Sequence, residues 1–283
     1  MGVRCDMAML ALNDVFQKVW GEHIAETRPF TEFWEEVIPE VKKITPNFVF
    51  IAEVYWDMDW PLQKIGFDFT YDKRLYDRMF FDSAISVDEH LSAEPAYRDK
   101  CLRYIENHDE ERATVIFGKQ KSMAAGIIVA TVPGLRFFYD GQLEGRRVRT
   151  PIHLRREPKE SADPVIAETY RRLLQYVKSP TTHDGEWTLL RTQPAWKQNE
   201  THQAILVWLW GCGQDWKLVV INYSMIRAQA YIQLPEFLGR KYFIQFRDAL
   251  TDKVYDRTGE ELSQKGLYVD LQPWQAHLFD FKA

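Results

Sequence analysis

Continuous apolar runs recur at intervals through the first 180 residues. Gly2–Cys5 predicts a short buried strand, and 48–52 is an unbroken apolar run of strand length. Unbroken apolarity is typical of parallel strands that helices cover on both faces. Weaker strands are predicted at 66–69 and 102–105, and a further strand at 135–139.

Helical periodicity fills the intervals between these strands. The stretch 7–26 predicts a helix, and a second helix ends at Thr45-Pro46, because the residue before a proline resists the helical region. Pro39 lies inside that second helix and predicts a kink or a late start. The apolar positions that share one face of each helix are Leu10, Phe16, Val19 and Trp20 in the first, and Trp34, Val37, Ile38 and Val41 in the second.

Two further helices have clear sequence features. The segment 121–131 is apolar nearly all round, which predicts a buried helix. A helix that ends near Ser179-Pro180 begins with Asp163 as its cap and Pro164 at its first position. Strands that alternate with helices indicate an α/β domain built on a parallel sheet.

After Pro180 the pattern changes to short strands separated by turns. Leu267, Val269 and Leu271 alternate with polar residues, as half-buried antiparallel strands do. This pattern predicts an antiparallel β-sandwich over 181–283, separate from the α/β domain of 1–180. The predicted strands are 204–210, 216–222, 228–234, 241–247, 267–271 and 276–281.

Composition limits the classes of function. The chain has 283 residues, which suggests about two domains. Its formal net charge of −5 disfavours nucleic-acid binding, and no apolar run approaches the roughly 20 residues of a membrane helix. Three widely spaced cysteines fit neither a disulfide framework nor a zinc pattern, so we expect reduced thiols and a cytoplasmic location.

Three acids follow predicted parallel strands at their carboxyl ends. They are Asp6, Glu53 and Asp109. Parallel strands bring such residues to one edge of a barrel, where catalytic groups gather. A retaining glycosidase requires two carboxyl groups about 5 Å apart. Each acid taken singly is more often a helix cap or a solvated loop residue.

The segments around these acids resemble the α-amylase family of glycoside hydrolases. Residues 2–8 (GVRCDMA) are similar to the motif of the family's fourth barrel strand, and 52–56 (AEVYW) to that of the fifth. Residues 105–109 (IENHD) resemble the seventh-strand motif, and 133–142 the eighth strand with its following turn. The resemblance implies a partial (β/α)8 (TIM) barrel, strands four to eight with their helices in 1–180, followed by the sandwich of 181–283.

The resemblance also implies roles for individual residues. Asp6 would be the nucleophile, and Glu53 the general acid/base, which needs a raised pKa and a partly dry pocket. Asp109 would stabilise the distorted sugar in the transition state. The predicted substrate-binding residues are Arg4, which orients Asp6, His108, which hydrogen-bonds the sugar, and Tyr55 and Trp56, which stack on a sugar ring or are ordinary core aromatics.

The sequence departs from the family in having no counterpart of barrel strands one to three. We therefore expect the carboxyl-terminal part of an amylase-type enzyme, with poor solubility, self-association or a complementary N-terminal fragment as its partner. No cofactor is expected. The family's calcium site is in doubt, since its main ligand segment is missing here, and 57–59 (DMD) indicates a solvated loop rather than a metal site.

Two classes of function remain open. One is a retaining hydrolase of α-glucosidic bonds in starch- or glycogen-type glucans or maltooligosaccharides, or a related glucanotransferase. The other is a catalytically inactive truncated fragment that only binds glucan or a partner chain. Trp208 and Trp210 lie on one face of a strand, which is more often a core position than a sugar platform.

Overall fold

The computed structural model describes residues 1–21, 31–239 and 241–282, and the chain divides into two compact units. The first unit comprises Met1–Tyr76, Ala93–Tyr104 and Pro133–Arg136. The second comprises Asp77–Ser92, Ile105–Val132 and Phe137–Ala283. The predicted boundary between 180 and 181 remains a prediction.

Fourteen strands lie in the described residues. They are β1 (Gly2–Cys5), β2 (Val49–Ala52), β3 (Phe69–Tyr71), β4 (Cys101–Arg103), β5 (Leu135–Arg136), β6 (Glu186–Leu189), β7 (Thr192–Pro194), β8 (Ile205–Cys212), β9 (Asp215–Asn222), β10 (Ala228–Ile232), β11 (Phe243–Asp248), β12 (Val254–Thr258), β13 (Leu267–Leu271) and β14 (Ala276–Lys282).

Twelve α-helices and two 3-10 helices accompany them in the same part of the chain. The α-helices are α1 (Asn13–Trp20), α2 (Phe33–Ile44), α3 (Asp59–Ile65), α4 (Lys73–Phe81), α5 (Ala84–Leu91), α6 (Pro95–Arg98), α7 (Ala113–Ile116), α8 (Lys119–Thr131), α9 (Pro164–Val177), α10 (Thr181–Asp184), α11 (Glu236–Gly239) and α12 (Gly259–Lys265). The 3-10 helices are Ala8–Ala11 and Thr201–Ala204.

The first unit is built on a five-stranded parallel sheet in the order β1-β2-β3-β4-β5. Each strand therefore pairs with the next strand along the chain, as in the successive βα units that the sequence predicts. In the first pair, Cys5 lies opposite Ala52. This register brings the next residues, Asp6 and Glu53, to the same edge of the sheet.

The predictions for the start of the chain were right about the strand but wrong about its burial. β1 is exposed or half-buried, and Val3 is 41% exposed. Among the described residues β1 pairs with β2 alone, so it is an end strand rather than an interior one. The apolar face predicted for the first helix is also exposed, with Trp20 at 52%. Residues 22–26 of that predicted helix lie outside the described residues.

Other predicted elements of the first 180 residues occur with altered ends. α2 runs through Pro39 to Ile44, so it does not start late. The strand predicted at 66–69 lies at Phe69–Tyr71, and the strand predicted at 135–139 contains only Leu135 and Arg136. These strands are too short for apolar periodicity to fix their ends.

Helices α8 and α9 of the second unit match the predictions closely. α8 is buried nearly all round, and the Asp163 side chain caps α9 by accepting from the backbone N–H groups of Val165 and Ile166. The glycine at 126 is required by packing, because a Cβ there would overlap the Tyr170 hydroxyl. That hydroxyl accepts a hydrogen bond from Gln142 Nε2 at 2.9 Å.

Two antiparallel sheets form the carboxyl-terminal part of the second unit. Their orders are β13-β10-β7 and β12-β11-β14-β9-β8-β6, and one apolar core draws buried residues from both. Trp208 and Trp210 are buried, and the Trp210 indole donates to the Thr131 carbonyl, so the core interpretation was right. Strands β6, β7 and β12 were not predicted, because they are short and none of their residues is fully buried.

Two expectations from composition can be compared with the described residues. Cys5, Cys101 and Cys212 form no disulfide. In the part of the chain that the structure covers, helices are too short or too polar to span a lipid bilayer.

A buried acid stabilises the turn after β11. Asp248 accepts hydrogen bonds from the Thr251 hydroxyl at 2.7 Å and the Leu278 N–H at 3.1 Å, and its Oδ2 lies 3.0 Å from His277 Nδ1. Burial alone would raise the pKa of Asp248, but the hydrogen bonds from His277, Thr251 and Leu278 outweigh it and lower the pKa.

We expect Asp248→Asn to lower the free energy of unfolding by about 1–3 kcal/mol at pH 7. Because the folded pKa lies below the unfolded value of about 3.9, ionised Asp248 stabilises the fold above that pH and loses the effect as pH falls. Urea melts should therefore show the variant and the wild type converging below about pH 4. The exposed Asp256→Asn is the control, and a gap that stays constant down to pH 3 would contradict the prediction.

Candidate active site

Asp6 and Glu53 occupy equivalent positions at the carboxyl ends of β1 and β2. The backbone confirms the register beyond the strands, since the Glu53 N–H donates to the Cys5 carbonyl at 3.0 Å. The Ala8 N–H in turn donates to the Glu53 carbonyl at 2.9 Å. The two carboxylates differ in solvation, because the Asp6 side chain is 78% exposed and that of Glu53 is 3% exposed.

One guanidinium joins these two carboxylates. Arg4 Nη1 contacts Asp6 Oδ1, and Arg4 Nη2 lies 2.8 Å from Glu53 Oε1. The guanidinium carbon also lies 5.7 Å from the centre of the Tyr71 ring. Burial would lower the pKa of Arg4, but hydrogen bonds to Tyr71 and Asp6 and the charge of Glu53 raise it above its ordinary value. Arg4 therefore remains a cation that holds both acids.

Glu53 has two further hydrogen-bond donors. The Met7 N–H donates to Glu53 Oε2 at 2.9 Å, and the Tyr55 hydroxyl donates to Oε1 at 3.2 Å. Met7 reaches this position with a left-handed backbone, at φ 42°. The buried carboxyl is thus fixed by residues at and just after β1 and by Tyr55 of its own segment, as a reacting group must be.

The two predicted aromatic residues after Glu53 differ in their surroundings. Tyr55 contacts Glu53, whereas Trp56 is 60% exposed and has a φ of 58°. The alternative that Trp56 is an ordinary core aromatic is therefore wrong. Its stacking on a sugar ring remains a prediction.

Asp109 and His108 belong to the second unit. Asp109 Oδ2 lies 3.1 Å from His108 Nε2, and both side chains are partly exposed. The buried Asn107 supports this segment, since its Oδ1 accepts from the N–H groups of Asp109 at 2.8 Å and Glu110 at 2.9 Å. This arrangement fixes the backbone that carries Asp109.

A buried ion pair also stabilises the segment that carries Asp109. Glu106 Oε1 lies 2.9 Å from Arg112 Nη1, and Glu106 Oε2 accepts from the Ala113 N–H at 2.5 Å. Arg112 also donates to the carbonyls of Asp140 at 2.6 Å and Val148 at 3.1 Å. Burial raises the pKa of Glu106, although the Ala113 N–H and Arg112 act against that shift.

Sequence motifs did not indicate Glu106, Arg112 and Asn107 as supporting residues. The available indication was that Glu106 directly follows the predicted strand 102–105, where a buried carboxylate needs a partner. Asp59 also differs from expectation, because it is 6% exposed and accepts a hydrogen bond from Tyr97 instead of lying in solvent. Among the described residues, no cluster of histidine, cysteine or acidic side chains is arranged to hold a metal ion.

Comparison with known proteins supports the resemblance. No protein-family model matches the chain. A curated relative, alpha-amylase 3 of Dictyoglomus thermophilum, is 26% identical over 148 residues, which cover 47% of this chain and 29% of the relative. The chain therefore resembles an α-amylase in sequence over about half of its length.

Solved structures of α-amylases share the fold of this chain. The maltogenic alpha-amylase of Thermotoga neapolitana overlays with a TM-score of 0.67 at 18% identity and covers 99% of this chain and 61% of its own length. The alpha-amylase of Geobacillus thermoleovorans, in complex with acarbose, overlays with a TM-score of 0.66 at 19% identity. The match covers 89% of this chain and 57% of that protein. The predicted fold class, part of a (β/α)8 barrel followed by an antiparallel β-sandwich, is thereby confirmed.

The chain spans less than two thirds of the length of these relatives. The trehalose-6-phosphate hydrolase of Bacillus licheniformis gives the same result, with a TM-score of 0.65, 12% identity, and coverage of 100% of this chain and 65% of its own length. These proteins are named for different reactions, so the shared fold does not by itself specify the chemistry of this chain.

We expect Arg112→Met to destabilise the protein by about 3–5 kcal/mol at pH 7, because it leaves the buried Glu106 carboxylate without its cation. Without the guanidinium the folded pKa of Glu106 rises further above its unfolded value of about 4.3. A carboxyl with a raised folded pKa loses stability as pH rises, so the penalty should be smaller at pH 4 than at pH 7.

Chemical denaturation at the two pH values measures this difference. Arg149→Met is the matched control, because Arg149 pairs with Glu111 at 3.3 Å and both side chains are exposed. Such a pair contributes about 0–1 kcal/mol. A penalty for Arg112→Met that is equal at pH 4 and pH 7 would show that Glu106 does not depend on the guanidinium.

Proposed function

We propose that this chain carries the catalytic machinery of a retaining glycosidase that acts on α-glucosidic bonds of starch- or glycogen-type glucans or maltooligosaccharides. Asp6 is the nucleophile and Glu53 the general acid/base. The observation that carries the proposal is the bridge from one Arg4 guanidinium to both carboxylates. Retention needs two carboxyls near a single sugar carbon, and a shared guanidinium keeps them that close.

The difference in burial supports the division of roles. A nucleophile must be ionised and accessible, and Asp6 is exposed beside a permanent cation. An acid/base group must give up and take back a proton in a site that limits water, and Glu53 is almost fully buried. The nucleophile attacks the sugar carbon while Glu53 protonates the departing oxygen, and water then releases the sugar as Glu53 takes the proton back.

The remaining roles follow from the same resemblance. In the proposal Asp109 binds sugar hydroxyls and stabilises the oxocarbenium-like transition state, and His108 hydrogen-bonds the same sugar. Their mutual contact at 3.1 Å supports the idea that they act as one recognition unit. The acarbose bound by the Geobacillus thermoleovorans relative supports α-glucans as the substrate class.

We expect Asp6→Asn to lower kcat on a nitrophenyl maltooligosaccharide by at least about a thousandfold, because the amide cannot form the glycosyl-enzyme. Release of nitrophenol measures the rate. Asp57→Asn is the matched control, since Asp57 is also an exposed acid paired with an arginine, Arg74. The absence of turnover in a folded wild type would favour the inactive binding fragment.

We expect Glu53→Gln to lower turnover of a maltooligosaccharide by about 10²–10⁴-fold. The loss should be much smaller in the first step with a dinitrophenyl leaving group, which departs without protonation. The burst of dinitrophenol in stopped flow measures this first step. Equal losses with both leaving groups would contradict the acid role of Glu53.

A further inference from the structure

The second unit contains a groove of about 750 Å³, and none of the proposed catalytic residues lines it. Three aromatic residues, Phe117, Tyr223 and Trp274, form one part of its lining. Polar side chains, among them Ser83, Gln120 and Lys121, form another. Apolar faces beside a few convergent polar groups are typical of small-molecule sites.

Lys121 lies at the centre of the aromatic part. Its Nζ is 5.5 Å from the ring centre of Trp274, 5.7 Å from those of Phe117 and Tyr223, and 6.0 Å from that of Phe80. The ammonium donates a hydrogen bond to the Phe80 carbonyl at 2.9 Å. Burial lowers the pKa of Lys121, and the ring faces offset part of this cost. An ammonium has three donor hydrogens, so it retains capacity to bind hydroxyl oxygens.

The backbone holds Trp274 in place at an energetic cost. Its φ of 59° is left-handed, which is uncommon for a bulky residue and recurs at ligand-binding positions. The Trp274 N–H donates to the Ser224 carbonyl at 3.2 Å, and its indole meets the Tyr223 ring edge-on at 5.1 Å. Tyr223 is anchored in turn, since its hydroxyl donates to the Met79 carbonyl at 2.7 Å.

The charges in the groove nearly cancel. Lys119 pairs with Asp163 at 2.6 Å, and Asp82 lines the groove together with Lys121. A strongly anionic ligand would therefore gain little here. A neutral ligand with an apolar face and many hydroxyls fits the chemistry better.

We propose that this groove is a second carbohydrate site, which binds one or two glucose units of an α-glucan. The C–H face of the sugar packs on Trp274, and Lys121 and Gln120 bind its hydroxyls. The choice of glucan as the ligand rests on the proposed function. The groove would hold a long chain to the protein without taking part in bond cleavage.

Native gel electrophoresis with and without soluble amylopectin tests the site. We expect the polymer to retard the wild type, and Trp274→Ala to raise the apparent dissociation constant about five- to tenfold through the lost stacking. The matched control is Trp196→Ala, because Trp196 is 54% exposed in the same unit and outside the groove lining. It should be retarded like the wild type.

Two results would overturn the site: a wild type that amylopectin does not retard, or a Trp274→Ala variant retarded as strongly as the wild type. If Trp274→Ala does not fold, Lys121→Met gives an independent test. This variant should weaken the retardation by amylopectin severalfold. Unchanged retardation would count against the site. Failure of the proposed hydrolysis is a separate outcome, since Trp274-dependent retardation would persist without any release of nitrophenol.

Discussion

The arrangement of the candidate site depends on one cation that two strands share. Arg4 lies on β1, and it reaches Asp6 on its own strand and Glu53 on the next. Parallel pairing with Cys5 opposite Ala52 makes that possible, because any shift in register would move the two acids apart along the sheet edge. A carboxylate as buried as Glu53 is costly without such partners, so the sheet and the site stabilise each other.

Acids that follow strands serve two different purposes in this protein. Asp6 is exposed and faces solvent, whereas Glu106 and Asp248 are buried and satisfied by nearby donors. The first arrangement leaves oxygen atoms available for chemistry. In the second arrangement, the carboxylate oxygens accept hydrogen bonds that hold a loop or a turn in place. Exposure marks Asp6 as available for chemistry, whereas the buried Glu53 differs from Glu106 and Asp248 in sharing the Arg4 guanidinium with that exposed acid.

Much of the fold could be predicted from the sequence because its main elements bury continuous or periodic apolar runs. The buried α8, the cap of α9 and the alternating β13 all follow from local pattern. The exposure of β1 could not be predicted, because a strand's neighbours are set by the sheet and not by its own residues. Strands β6 and β12 have no fully buried residue, and their positions depend on pairing with β8 and β11.

The candidate site was likewise predicted only in part from the sequence. Motif resemblance pointed to Asp6, Glu53 and Arg4, and the structure brings these three together. The contact of Tyr55 with Glu53 and the Glu106–Arg112 pair depend on tertiary geometry. Nothing in their spacing indicates which partner each side chain meets.

The end position of β1 has a consequence for how Asp6 behaves in time. Among the described strands β1 has a single neighbour, so it opens at a lower free-energy cost than strands flanked on both sides. Whether Asp6 is in place therefore depends on the local opening of β1, which occurs more often than global unfolding of the protein. Amide exchange at Val3 and Cys5 would report the fraction of molecules with Asp6 in register. A ligand that contacts Asp6 would slow that exchange and, because it binds the folded state, would also raise the melting temperature.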